Sequence, residues 1–109
     1  MKSLEKFLHE QAEACKARAA SLSADNRQDE AVFEKIRGNV FEIFTAVLNA
    51  ARKQPEPMAF FRRQLTVIPS NWEAALEKAE AHSDEPKAHT ERIKLDAVRA
   101  IREQVGDAR

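Results

Sequence analysis

The chain has 109 residues, of which 18 are basic and 18 acidic, with a single cysteine. That length supports one domain with one core, burying roughly 65% of the surface an unfolded chain exposes. Balanced charge excludes a long-range field toward nucleic acid or an anionic membrane, and the lone Cys15 excludes an internal disulfide and a multi-cysteine zinc site.

Residues 1–109 are expected to form a single helical domain, an all-α irregular bundle of about five helices with one long central helix. Two glycines, no tyrosine and many Ala, Glu, Lys, Arg and Leu residues favour helices over strands. The core is thin: 43% of residues are hydrophobic, but 19 are alanine, leaving 28 larger apolar side chains. Alanine raises helix propensity while burying little area, so close helix packing or a second chain must supply part of the stability.

The first predicted helix covers about Lys2 to Leu22. Met1, Leu4, Leu8, Ala12, Cys15, Ala19 and Leu22 form a stripe under about 100° wide, enough for one neighbour. Three glutamates interrupt the apolar residues of Met1–Lys16, so no signal peptide is expected there. No stretch approaches the roughly 18 apolar residues of a membrane span, and a cytoplasmic location is expected. "SLSADNRQD" breaks the periodicity with capping residues, placing the start of the next helix at Asp25 or Asn26.

The second helix, about Gln28 to Lys53, has the clearest pattern. Phe33, Ile36, Val40, Ile43, Val47 and Ala50 alternate by three and four, and Val32, Phe41, Phe44 and Leu48 widen the apolar face to about half the circumference. Such a helix touches at least two neighbours, which makes it the spine, flanked antiparallel by the first and last helices. The apolar phase runs through Gly38, so the helix continues at a cost of about 1 kcal/mol relative to alanine.

"KQPEP" ends the spine, because Pro55 disfavours helical geometry at Gln54. A short third helix is predicted from Pro57 to Leu65 and a loop closed by Pro69. "SNWE" then offers a capping box, with Ser70 and Glu73 satisfying each other's amides. It opens a fourth helix, Asn71 to His82, with Trp72, Ala75, Leu76 and Ala79 inward. "HSDEP" separates this from a last helix, Glu85 to Val105, carrying Ile93, Ala97, Val98, Ile101 and Val105 on one face, and Gly106 stops it. The two short helices are expected to close one end of the bundle.

Candidate functional residues are few. In a helix from Pro57, the residues Met58, Phe61 and Leu65 share one face, while Phe60 points about 130° from its middle, on the side of Arg63. An outward aromatic beside an arginine is the composition of an interface hot spot; the alternative folds Phe60 under "TVIPS" against Val67 or Trp72. His82, Glu85 and His89 could offer a metal three ligands of mixed type, against which stands a capping role for Ser83 or Asp84 and solvated histidines. Glu-x-x-His is absent, which disfavours a di-iron site. Cys15 lies mid-stripe with His9 far around the helix, a core residue rather than a nucleophile. Arg52, Lys53, Arg62 and Arg63 gather near one turn and Arg92, Arg99 and Arg102 mark the last helix. Glu56, Glu91, Asp96 and Glu103 interleave with them as a solvated charged face, so nucleic acid is not the expected partner.

No catalytic residues, metal site or cofactor are assigned. The expected function is a non-enzymatic protein–protein interaction module, a homodimer or a partner of another protein, with Phe60 and Arg63 as partner-binding residues. Metal or small-molecule binding through His82, Glu85 and His89 is the alternative, and nucleic-acid binding through Arg62 and Arg63 a further one.

Overall fold

A computed structural model describes residues 1–106. Among them the chain forms four helices: α1 (Lys2–Ala24), α2 (Gln28–Ala51), α3 (Pro57–Ala81) and α4 (Glu85–Val105). The all-α architecture agrees with the sequence, and the number of helices does not. The two short helices expected on either side of "TVIPS" are one, α3, with Pro69 buried inside it.

The continuity of α3 has a physical cause on α4. Proline has no N–H to donate to the carbonyl four residues back, so the Leu65 carbonyl loses its helical partner. Arg102 donates to that carbonyl from Nη2 at 2.6 Å. The orphan created by Pro69 is therefore satisfied across the helix–helix contact, and the chain has no need to break. Ser70 does not act as a cap. Its hydroxyl donates to the Val67 carbonyl at 2.6 Å, and the Ser70–Glu73 box does not form.

Two αα-hairpins make up the molecule. Arg18 pairs with Glu34 at 2.9 Å and Arg52 with Glu5 at 3.0 Å, which sets α1 antiparallel to α2. Arg92 meets Glu80 at 2.9 Å and Arg102 meets Leu65, which sets α3 antiparallel to α4. Phe44 and Phe61, with ring centroids 6.0 Å apart, join α2 to α3 near their connection. The spine role of α2 stands, but its flanks differ from expectation. Near the starts of α2 and α4 the Phe33 and His89 rings lie 4.5 Å apart, edge to face, so α4 runs in the same sense as α2. Up-down-up-down connection of antiparallel neighbours requires that polarity.

Both hairpin turns use one device. Asn26 (φ 61°) and Ser83 (φ 55°) take the left-handed conformation. The next amides, Arg27 and Asp84, then donate back to the Leu22 and Ala79 carbonyls, each at 2.8 Å. Asp84 also accepts from the Lys87 amide at 3.2 Å and so caps α4. The start of α2 falls at Gln28, after Arg27, because Asn26 is spent on closing the turn.

The core is one cluster fed by every helix: Leu8 and Cys15 from α1, Phe41, Phe44 and Leu48 from α2, Phe61 and Leu65 from α3, Val98 and Ile101 from α4. Helices α1 and α2 approach closely at Gly38, where a Cβ would lie 3.1 Å from that of Cys15. The molecule measures 45 × 35 × 20 Å, about two helices thick in its shortest dimension. A slab of that thickness leaves one long face of α2 without a neighbour.

Candidate interaction surface

Pro57 opens α3 and fixes the phase of its first turns. Phe61 goes fully into the core against Phe44. One residue earlier and about 100° around the helix, Phe60 is half-buried and packs on the rim of the core, while Arg63 is exposed. The two side chains meet at a shallow recess of about 210 Å³ that also includes Gln54, Pro55 and Ala59. Arg63 makes no ion pair among the described residues. The loop under which Phe60 was alternatively expected to fold does not exist, because residues 66–70 are helical. Val67, two turns beyond Phe60 on the same side of α3, is 52% exposed. Assigning residues 66–70 to a loop hides its place on this face.

The second apolar feature lies on α2. Half of its circumference is apolar, as expected, but the side turned inward is that of Phe41, Phe44, Leu48 and Ala51. Val32 is 48% and Ile43 39% exposed, with Ile36 and Val47 half-buried and Ala50 exposed. Three residues expected on the inward face, Val32, Ile43 and Ala50, thus lie at the surface. The periodicity could not decide this, since both halves of a wide apolar face fit the same wheel. Of the expected stripe Val40 does turn inward, beside the phenylalanines Phe41 and Phe44 that fill the space between the helices, while Val32 and Ile43 are left outside.

Other candidates disperse. The His82 Nδ1 lies 2.9 Å from the Lys78 carbonyl, Glu85 faces Arg92 at 3.5 Å, and His89 packs against Phe33. Among the described residues no three His, Cys, Asp or Glu side chains converge as metal ligands. The basic residues are largely engaged: Arg52 with Glu5, Arg92 with Glu80, Arg99 with Asp96, Arg102 with a carbonyl. Arg62 packs into α3 with its Nε buried and unpartnered. Glu91 is not on a solvated face. It is buried, held by Lys87 at 3.1 Å and Lys94 at 3.2 Å, with Lys94 also over the Trp72 ring at 5.7 Å.

Cys15 is fully buried and faces Gly38. Burial pushes its thiol up from the ordinary 9.0, outweighing the pull of the nearby Arg18 guanidinium. A thiol held protonated in an apolar setting is a packing group, not a nucleophile. Among the described residues no helix is long and apolar enough to cross a membrane. Comparison with protein-family models, curated proteins and solved structures gave no match.

Proposed function

We propose that the chain is a non-enzymatic interaction module of the cytoplasm that self-associates, with Phe60 and Arg63 among its partner-binding residues. The observation that carries this reading is the exposed apolar surface left after a four-helix core has closed. Val32 and Ile43 on α2 and Val67 on α3 remain 39–52% exposed, and near the start of α3 Phe60 is half-buried with Arg63 exposed and free of ion pairs among the described residues. Large apolar side chains left exposed outside a completed core suit contact surfaces, and aromatic residues and arginine are the types enriched there. The single cysteine, buried and protonated, suits a reducing compartment.

Light scattering after size exclusion tests the reading on the intact chain and on Phe60→Ala. A dimer that weakens in the variant is expected. A monomer in both across the micromolar range would overturn self-association, and an unchanged dimer would remove Phe60 from the contact.

A further inference from the structure

The inference rests on the self-association proposed above and concerns a contact on α2, whose exposed side, distinct from Phe60 and Arg63, carries enough pattern to orient two copies. Along it Val32, Ile36, Asn39, Ile43, Ala46 and Ala50 succeed one another at spacings of four, three, four, three and four. That is the 3.5-residue seam of a helix that packs lengthwise against another helix. All are exposed except Ile36, which is half-buried. The core faces of α1, α3 and α4 are already occupied by the chain itself, so no helix of the same chain remains to cover this seam.

We propose that α2 of one copy packs antiparallel on α2 of a second copy, in the register that sets Lys35 against Glu42 of the other chain. Lys35 and Glu42 flank the seam on the side of α1, both exposed and neither in an ion pair among the described residues. In an antiparallel pair, residues flanking the seam on one side face their equivalents on the copy. Of the registers that interleave the seam residues, two overlap α2 over most of its length. One brings Val32 opposite Ile43 of the copy and Ile36 opposite Asn39, and pairs Lys35 with Glu42 of the copy twice by symmetry. The other slides the helices by about 10 Å, one seven-residue repeat, and sets Glu42 against Glu42 of the copy. Opposite charges favour the first register and like charges disfavour the second.

A two-fold contact must be self-complementary, and this one is: each interaction occurs twice. The two Asn39 side chains come within about 4.5 Å along the axis, close enough for their amides to bond one another and specify register. Overlap of the two α2 helices extends for about 28 Å. Beside it, a shallow groove of about 410 Å³ between α1 and α2, which Lys35, Asn39 and Glu42 border, gives the flanking side chains of the copy a place to lie. This side of α2 is open to a copy because α1 and α4 pack on its other sides.

The test uses the full chain. Lys35→Glu alone places glutamate opposite glutamate at two symmetric positions and is expected to weaken the dimer about tenfold. Glu42→Lys alone is expected to weaken it similarly, and the double exchange Lys35→Glu with Glu42→Lys to restore it. Because all the altered side chains are exposed, unchanged circular dichroism separates these effects from unfolding. Orientation is read with a short bis-maleimide in a Cys15→Ala background: Asn39→Cys is expected to link to its copy, and Ala46→Cys, about 25 Å from its copy along the axis, is not. Linking at both positions would mean a parallel pair and overturn the proposal. A dimer that ignores both charge changes and links at neither position would also overturn it, while leaving self-association through another face intact. A chain monomeric in every form would overturn both.

Discussion

The Arg102–Leu65 hydrogen bond should be worth more than an ordinary surface contact, and its worth should depend on Pro69. In the native chain the Leu65 carbonyl has no helical donor, since residue 69 is proline. Replacing Arg102 by methionine keeps the aliphatic stem but strands that carbonyl in a half-buried helix contact. Hydrogen bonds to charged groups contribute about 1.5–3 kcal/mol, and the half-buried setting of Arg102 argues for the lower end, about 1.5 kcal/mol. In a Pro69→Ala background the alanine amide can donate to Leu65, so the same Arg102→Met change should cost only about 0.5 kcal/mol. The coupling is therefore about 1 kcal/mol, or about 4 °C in Tm for a chain of this size. Urea unfolding of the four proteins, monitored by far-UV circular dichroism, measures it. Pro69→Ala by itself combines the loss of a buried ring with the gain of a helix former, and its own sign is immaterial to the cycle. Additive costs, within about 0.3 kcal/mol, would show that Arg102 does not compensate for the proline.

Individual contacts carry further expectations. Ser83 sits at φ 55°, where glycine carries no Cβ penalty, so Ser83→Gly should raise stability by about 0.5–1 kcal/mol in thermal unfolding. Gly38→Leu should lower it by about 2–3 kcal/mol, because even a Cβ there meets Cys15 at 3.1 Å. Replacing Lys87 and Lys94 together by methionine strands the buried Glu91 carboxylate without a partner, and should cost more than Glu91→Leu, which leaves two lysines free to hydrate. Cys15, with its thiol pushed up by burial, should resist alkylation until the chain unfolds. An unfolded thiol ionises from about pH 9 while the folded one stays protonated, so stability should fall as pH rises above that point, and less so in Cys15→Ala.

Helix content, the dominance of α2 and the inward placing of Phe61 were legible from local periodicity, because each depends on residues within one or two turns. The continuity of α3 was not. Pro69 and the "SNWE" cap are correct local signals of a break, and what overrides them is a guanidinium 37 residues away. A long-range donor leaves no mark on the periodicity around residue 69. The same holds for Glu91, whose interleaving with the arginines of the last helix resembles a solvated face until its burial and its pairing with Lys87 and Lys94 are seen.

The surface was legible in a different sense. Composition showed that the chain has few large apolar residues, and a thin core would be expected to use them all. It does not: Val32, Ile43 and Val67 stay outside, while the phenylalanines fill the space between the helices. A chain short of apolar bulk that still leaves these side chains about half exposed forgoes about half of the roughly 1.5–3 kcal/mol that full burial contributes at each. On α2 that loss falls in a seven-residue seam bordered by a lysine and a glutamate of opposite charge one repeat apart. Random surface residues have no reason to keep such spacing along one helix, and a helix that must recognise its own copy has every reason to keep it.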